Sequence, residues 1–341
     1  MTSTKLSPSR IIYLDNLRAI CILGMIFCHS VIYGVKEDTF HPAYFFGNHV
    51  LGDWPAAMFL TISGFVLEFR QSGNAKLLRR GLFLIGVGIL LAVMNDGWRN
   101  FFECDVLVII GIASILYPLL RARTVWGLGI LILVVMAVTA ILQRTLDYHA
   151  NWGGVESVES YAGVLIDPGE EYDAGAWTLL TSVKACLFNG YFPIFPWLSF
   201  SLLGIILAKR EWSERLLGGV GGALILTAAA GVMFIPLSFY PLSITFNVLL
   251  LGLVLLVFSL RGLLGFQAWP LALLSRYSLT AYVLQYVILN VIARGFGQFS
   301  EPLLGYALGL GVTLVVLAVL MLIDRVNGSL SLEGALKKVA G

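Results

Sequence analysis

An arginine and a histidine stand eleven residues apart in the first apolar segment of the chain, at Arg18 and His29. In an α-helix this spacing puts two side chains about 20° apart around the axis and about 16 Å apart along it. An imidazole takes a proton from a hydroxyl or an amine near neutral pH, and a guanidinium holds a phosphate or a carboxylate. The pair therefore indicates a site where His29 meets a neutral nucleophile and Arg18 meets an anionic donor.

A carboxylate lies one helical turn before the arginine, because Asp15 precedes Arg18 by three residues. A salt bridge at this spacing would hold the guanidinium in place. Charged side chains at membrane depth are costly unless they face a partner or a water-filled cavity, so Asp15, Arg18 and His29 are the candidate catalytic residues. The alternative is that Asp15 and Arg18 anchor one end of the helix and His29 the other, without any chemistry.

The composition is that of a membrane protein. Of the 341 residues, 58% are hydrophobic and 12% are charged, whereas about 25% of the residues in a soluble domain are charged. The prediction is an all-α fold, a polytopic integral membrane protein with about ten transmembrane helices, built as a single domain over 1–341. The predicted spans are 11–33, 52–69, 78–95, 105–120, 125–143, 190–208, 216–238, 242–260, 277–294 and 303–324.

Lysine and arginine are concentrated in alternate loops of this predicted topology. By the positive-inside rule, both termini are cytoplasmic and the long connection 144–189 lies outside a plasma membrane or cell inner membrane. The connection is acidic, which is consistent with a lid over a site that opens outward or with a simple solvated connector. Cys104 and Cys186 both fall on the outer side, where a disulfide between them could persist.

Two further histidines lie in the first outer loop, in the sequence HPAYFFGNHVLGDW. His41 and His49, together with Asn48 and Asp53, are the alternative catalytic residues. Asp53 stands at the predicted membrane boundary, where a carboxylate can orient a histidine. A loop histidine is also explained as a solvated polar residue, so this group competes with His29 without displacing it.

Arginines also gather on the cytoplasmic side, at Arg70, Arg79 and Arg80. With Arg18 they form the candidate cofactor-binding set, because clustered arginines suit the phosphates of a nucleotide-bearing donor. The same cluster is explained by the positive-inside rule alone. No cysteine or histidine spacing indicates a metal site, and no motif indicates nucleic-acid binding.

A polar stripe marks the ninth predicted span, where Ser278, Tyr282 and Gln285 fall at positions i, i+4 and i+7. Such a stripe lines a substrate cavity or joins helices by hydrogen bonds. Tyr191 and Trp197, at the outer entry to the sixth span, are the remaining candidates for the substrate cavity.

At these residues the chain resembles the transmembrane acyltransferase superfamily, which contains the acyltransferase 3 proteins and relatives of heparan-α-glucosaminide N-acetyltransferase. The resemblance rests on R-x10-H, here Arg18 and His29 within LDNLRA, where the family reads LDxLRG. Supporting segments are FLTISGF, DVLVIIGIASILY, FPIFPWLSFSLLGIILAKR and SLTAYVLQYVIL. Ala19 replaces the usual glycine, and Gln285 stands where many relatives have histidine. In the heparan-acting relatives the catalytic histidine is placed in the first luminal loop, which keeps His41 and His49 in contention.

The resemblance implies acyl transfer across a membrane, a form of glycan modification. Acetyl-CoA from the cytosol would give its acyl group to a hydroxyl or amine of an extracytoplasmic glycan or lipid-linked sugar. Arg18 would contact the donor, and His29 would deprotonate the acceptor or carry the acetyl group itself. The expected partners are this acyl-CoA donor, the sugar acceptor, membrane lipids and a second copy in a homodimer. The alternative function is transport of a small anionic solute.

Overall fold

The computed structural model describes residues 8–36, 41–70, 72–96, 104–145, 165–166, 183, 185–189, 192–235, 237–239, 242–266 and 268–341. Apart from two strands of two residues each, the regular structure in these ranges is helical, so the all-α prediction is confirmed. The α-helices are α1 (Pro8–Gly34), α2 (Pro42–Phe45), α3 (Leu51–Arg70), α4 (Asn74–Asp96), α5 (Val106–Leu120), α6 (Val125–Thr145), α7 (Ile194–Lys209), α8 (Glu214–Gly231), α9 (Ile244–Ser259), α10 (Trp269–Arg276), α11 (Ser278–Phe296), α12 (Pro302–Arg325) and α13 (Leu332–Ala340).

Short elements connect some of these helices. They are two single-turn π-helices (Phe46–Val50 and Ala185–Asn189), a 3₁₀ turn (Arg261–Leu264), and the strands β1 (Leu165–Ile166) and β2 (Leu237–Ser238). The strands pair in parallel, with Leu165 opposite Leu237 and Ile166 opposite Ser238. Most of the predicted outer connection 144–189 lies outside the described residues, so its role as a lid stays a prediction.

Each of the ten predicted spans coincides with a helix, but the helices differ in length. Among the described residues, six helical segments are long and apolar enough to cross a membrane, and three further apolar helices, α5, α7 and α9, have only 15 or 16 residues. A 16-residue helix is about 24 Å long, less than the hydrocarbon core of about 30 Å. The count of about ten spans therefore stays a prediction. The six segments are Ile12–Gly34, Pro42–Phe69, Asn74–Met94, Val125–Leu142, Ser278–Phe296 and Pro302–Arg325.

Two predicted spans are longer than the helices that form there. The span 216–238 is helical only to Gly231, and β2 occupies its last two residues. The span 190–208 begins its helix at Ile194, after Pro193 as N-cap. Both segments remain apolar past the helix end while containing prolines, which interrupt a helix without lowering hydropathy. Hydropathy therefore located these helices correctly and overestimated their length.

The chain divides into two compact units, the first containing 1–59, 260–339 and 341, and the second 60–259 and 340. In the first unit, α1 packs against α10, α11 and α12. Glycines on α12 permit the contact with α1: a Cβ added to Gly309 would lie 2.7 Å from Cδ1 of Phe27, and one added to Gly305 would lie 3.0 Å from Cγ2 of Val31. Small residues allow such close helix approach. The interpretation of 1–341 as a single domain stays a prediction.

In the second unit, glycines bring two pairs of helices together in the same way. A Cβ on Gly81 of α4 would lie 2.6 Å from the carbonyl oxygen of Gly111 on α5, and one on Gly221 of α8 would lie 2.8 Å from that of Gly252 on α9. Backbone therefore packs directly on backbone at both crossings.

A disulfide and a buried ion pair also stabilise the second unit. Cys104, just before α5, is bonded to Cys186 in the π-turn before α7, as the sequence suggested. Glu68 on α3 accepts hydrogen bonds from Nζ of Lys209 at 3.1 Å and from the hydroxyl of Tyr117 at 2.9 Å. Its carboxylate is therefore satisfied by partners from two other helices.

Candidate functional site

Arg18 lies in a network of three side chains near the start of α1. Its Nη1 donates to Oδ1 of Asp15 and to Oγ of Ser275, both at 3.2 Å, and the Ser275 hydroxyl donates to the same Asp15 oxygen at 2.9 Å. The side chain of Arg18 is 21% exposed and that of Asp15 is 43% exposed. The predicted Asp15–Arg18 pair is thus present. Ser275, which sequence reasoning missed, fixes the pair against α10.

The same end of the first unit has further polar contacts that fix α11. The hydroxyl of Tyr277 donates to Oδ1 of Asp324 at 2.8 Å. Burial raises the pKa of Tyr277, and the hydrogen bond to Asp324 raises it further. Glu333, on α13, accepts hydrogen bonds from the backbone N–H groups of Leu279 at 2.6 Å and Thr280 at 3.2 Å. A carboxylate at a helix N-terminus satisfies N–H groups that have no partner within the helix.

His29 contacts a tyrosine of α11. Its Nε2 lies 3.1 Å from the hydroxyl of Tyr286, and the two ring centroids are 4.6 Å apart. Tyr33, one turn later on α1, lies 6.0 Å from the imidazole and 6.1 Å from Tyr286, centroid to centroid. Tyr282 extends the group, with its ring 5.3 Å from Tyr286. Three tyrosines and His29 thus form one polar aromatic cluster inside the first unit.

The other imidazole nitrogen, Nδ1, is buried. Nδ1 of His29 has no hydrogen-bond partner among the described residues. When the hydroxyl of Tyr286 accepts from Nε2–H, Nδ1 is the nitrogen that can take a proton from another molecule. A histidine held at one nitrogen and open at the other has the geometry of a general base.

Gln285 is buried beside this cluster. Its side chain is fully buried, and neither amide atom has a hydrogen-bond partner in the part of the chain that the structure describes. The amide adjoins the imidazole of His29, although neither of its polar atoms meets the geometry of a hydrogen bond. Two buried polar side chains therefore adjoin each other with unfilled hydrogen-bonding capacity.

The polar stripe of α11 is only partly at this cluster. Tyr282 and Gln285 are there, but Ser278 is the first residue of α11 and lies about 10 Å from Gln285 along the helix axis. Sequence reasoning missed Tyr286 and Tyr33. Both carry a local signal, because each lies four residues after a predicted site residue and so on the same helical face.

The first-loop residues form separate contacts. Nδ1 of His49 lies 3.4 Å from Oδ2 of Asp53, so Asp53 does adjoin a histidine. His41 caps α2, where its Nδ1 accepts a hydrogen bond from the N–H of Ala43 at 3.2 Å. The carbonyl of Asn48 accepts a hydrogen bond from Sγ of Cys28 at 3.7 Å. His41 thus has a structural role as a helix cap, whereas His49 adjoins a carboxylate, as an oriented base does.

The remaining predicted residues belong to the second unit or lie outside the described residues. Arg79 is on α4, where its Nε donates to the carbonyl of Ala75 at 3.4 Å, and Arg80 follows it. Arg70 is the last residue of α3. Trp197 is fully buried, with the ring of Phe192 4.9 Å away, and therefore lies in a core. Tyr191 lies outside the described residues. Their roles in donor or substrate binding stay predictions.

No group of three or more histidine, cysteine, aspartate or glutamate side chains within the described ranges could hold a metal ion.

One comparison with known proteins identifies a family. The model of the family described as heparan-alpha-glucosaminide N-acetyltransferase, catalytic, matches residues 10–219. The match covers more than half of the 341-residue chain and includes Arg18, His29, His41 and His49. It does not favour the transporter alternative, and the acyltransferase 3 part of the resemblance stays a prediction. None of the curated proteins compared with the chain matches it.

Proposed function

The chain belongs to the heparan-alpha-glucosaminide N-acetyltransferase catalytic family, and from that membership we propose that it is a membrane-embedded acyltransferase. Its donor is acetyl-CoA, and its acceptor is a hydroxyl or an amine of a glycan or a lipid-linked sugar. The observation that carries the proposal is the state of His29. One nitrogen is held by Tyr286, and the other is buried without a partner among the described residues.

In the proposed reaction His29 acts as the general base through Nδ1. The acceptor gives its proton to Nδ1, and its oxygen or nitrogen bonds to the carbonyl carbon of the thioester. The carbon–sulfur bond then breaks, and the departing thiolate takes the proton from the imidazolium to leave as coenzyme A. Tyr286 serves as a positioning residue, because accepting a hydrogen bond from Nε2–H keeps Nδ1 free to receive the proton.

Arg18 is proposed to contact the anionic part of the donor. Asp15 and Ser275 orient its guanidinium, and about a fifth of the side chain is exposed. Along α1 it lies about 16 Å from His29, too far for both side chains to touch the same atoms. The extended pantetheine arm of acetyl-CoA would bridge that distance.

The proposed setting is a cell membrane with both termini cytoplasmic, so that the donor enters from the cytosol and the acceptor from outside. The basis for this orientation is the concentration of lysine and arginine in alternate loops. A second copy of the chain in a homodimer remains part of the proposal, and acyl transfer does not require it.

Four single variants test the function. They are His29→Ala, His41→Ala, His49→Ala and Arg18→Gln. Purified protein in detergent is assayed for acetyl transfer from labelled acetyl-CoA to D-glucosamine, and acetyl-CoA affinity is measured by calorimetry. We expect His29→Ala to lower kcat at least a hundredfold with acetyl-CoA affinity unchanged, as loss of a general base does. Arg18→Gln is expected to weaken acetyl-CoA binding about tenfold, as loss of a charged hydrogen bond does.

His41→Ala and His49→Ala are the matched controls, since both histidines lie in the same compact unit. Turnover is expected to survive both changes. If His49→Ala abolishes transfer and His29→Ala does not, the base is the His49–Asp53 pair and the assignment to His29 is wrong. If wild-type protein binds no acetyl-CoA, the proposed function itself is wrong.

A further inference from the structure

Gln285 is the most completely buried polar side chain of the His29 cluster. It is fully buried, and among the described residues neither its amide nitrogen nor its amide oxygen has a hydrogen-bond partner. Other buried polar side chains of the same unit have hydrogen-bond partners within the protein. Oγ1 of Thr313, for example, donates to the carbonyl of Gly309 at 2.8 Å. Gln285 is therefore unusual within its own unit.

An unsatisfied amide in a protein interior is unfavourable, because it has lost its bonds to water and gained none in return. Buried polar groups in folded proteins are nearly always paired, and an exception calls for an explanation such as a ligand. Leucine would fill a similar volume at this position with no such cost. The polar side chain thus has a use that the ligand-free protein does not reveal.

The position of Gln285 points to that use. It lies beside His29, whose Nδ1 is also buried and unpaired in the described structure. The two side chains together offer an amide donor, an amide acceptor and an imidazole nitrogen within one small volume. A charged group would gain little there, since an amide carries no net charge and a buried charge needs an opposite one.

We infer that Gln285 is a substrate-binding residue that holds a neutral group able both to donate and to accept a hydrogen bond, next to the atom that reacts at His29. The inference rests on the proposed function. Two sources supply this chemistry: a hydroxyl or uncharged amine of the acceptor sugar, adjacent to its nucleophile, or an amide of the pantetheine arm of the donor. In both cases the bound group replaces the missing partners of the Gln285 amide.

The experiment compares wild-type protein with Gln285→Leu, with Thr313→Val as the control for removal of a buried hydroxyl that is already satisfied. The apparent Tm of each purified, detergent-solubilised protein is measured without ligand. Binding of two probes, D-glucosamine at pH 8 and coenzyme A, is measured by calorimetry. Turnover is not needed, so the result does not depend on which histidine is the base.

Gln285→Leu is expected to leave the Tm of the ligand-free protein unchanged or to raise it. The variant should bind one of the two probes about tenfold more weakly than the wild type does. That loss corresponds to one or two neutral hydrogen bonds. Weaker binding of glucosamine alone assigns Gln285 to the acceptor, and weaker binding of coenzyme A alone assigns it to the pantetheine arm. Thr313→Val should bind both probes as the wild type does.

Two outcomes overturn the inference. If Gln285→Leu binds both probes as tightly as wild type, the amide contacts no substrate. If the variant has a lowered Tm and loses both affinities together, the glutamine is structural. Wild-type protein that binds neither probe contradicts the proposed function, and this inference falls with it. Wild-type binding of coenzyme A combined with normal binding by Gln285→Leu overturns the inference alone.

Discussion

At the scale of single residues, the proposed role of His29 depends on its contact with Tyr286. The tyrosine hydroxyl lies 3.1 Å from Nε2. A neutral imidazole carries one proton, so a hydroxyl that accepts from Nε2–H leaves Nδ1 as the acceptor. In the proposed reaction, the phenol takes the orienting role that the carboxylate has in a Ser-His-Asp triad.

Replacing Tyr286 with phenylalanine should therefore impair chemistry more than binding. Removing the hydroxyl frees the imidazole to adopt the other tautomer, and loss of one hydrogen bond of about 1 kcal/mol predicts a fall in kcat of roughly five- to tenfold. The KM for acetyl-CoA should not change. The measurement is kcat beside the KM for acetyl-CoA, because the two together separate the chemical step from binding.

Tyr33→Phe is the matched control for that change. Tyr33 also packs near the imidazole, with ring centroids 6.0 Å apart, and the substitution keeps the ring. Its kcat should match that of the wild type. Equal loss of kcat in both variants would show that Tyr286 only packs against His29.

The sequence alone predicted only part of this site. The Asp15–Arg18 pair follows from i, i+3 spacing, and His29 from the cost of a polar group in an apolar segment. Ser275 and Tyr286 each lie 257 residues from the side chain that they contact. Such a pairing depends on how α1 packs against α10 and α11, which no local pattern encodes. Apolar periodicity is also too similar between helices to specify their neighbours.

At the scale of helices, the segment after the last long helix supports the one that carries Gln285 and Tyr286. Glu333, on α13, accepts from the N–H groups of Leu279 and Thr280 at the start of α11, more than fifty residues earlier in the chain. Thr280 returns the contact, because its Oγ1 accepts from the N–H of Leu332 at 2.9 Å. The two helix N-termini thus satisfy each other's unpaired N–H groups.

Glu333→Ala should destabilise the protein through α11. The change leaves two backbone N–H groups without their acceptor, at about 1–3 kcal/mol for each group that water does not reach. We expect the apparent Tm of Glu333→Ala to fall by several degrees. Glu333→Gln keeps one acceptor oxygen, so its Tm should lie between those of Glu333→Ala and the wild type. Thermal unfolding of the purified protein measures both.

Lys337→Ala provides the control, because Lys337 is on the same helix with an exposed side chain. An exposed charge contributes little to stability, so the Tm of Lys337→Ala should match that of the wild type. If Lys337→Ala lowers the Tm as much as Glu333→Ala does, α13 acts through some other contact than the start of α11.

Helix type and position were predictable, whereas helix length was not. Ten apolar segments were found by hydropathy, and each coincides with a helix. Their ends depend on caps and prolines: Asp105 caps α5 by accepting from the N–H of Val106, and Pro193 precedes α7. A hydropathy window averages over such single residues. The predicted span 216–238 therefore ends seven residues after α8 ends at Gly231.

At the scale of the whole molecule, the distribution of lysine and arginine and the disulfide predict the same orientation in the membrane. The disulfide joins Cys104 and Cys186, and disulfides persist in oxidising compartments outside the cytosol. The positive-inside rule, applied independently to lysine and arginine, also predicts these two cysteines outside and both termini inside. The chain is a membrane protein of the acetyltransferase family, and its orientation decides which side each substrate comes from.

Labelling of single added cysteines in intact cells tests this orientation. Labelling of the native cysteines should be low, because the two free ones, Cys21 and Cys28, are buried and the other two are bonded to each other. Asn151→Cys, in the connection 144–189, should react with an impermeant maleimide before lysis. Lys338→Cys, exposed on α13, should react only after lysis, and wild-type protein should stay unlabelled until a reductant opens the Cys104–Cys186 bond. Labelling of Lys338→Cys in intact cells would reverse the topology. It would place the Arg18 end of the first unit outside and remove the basis for a cytosolic acyl donor.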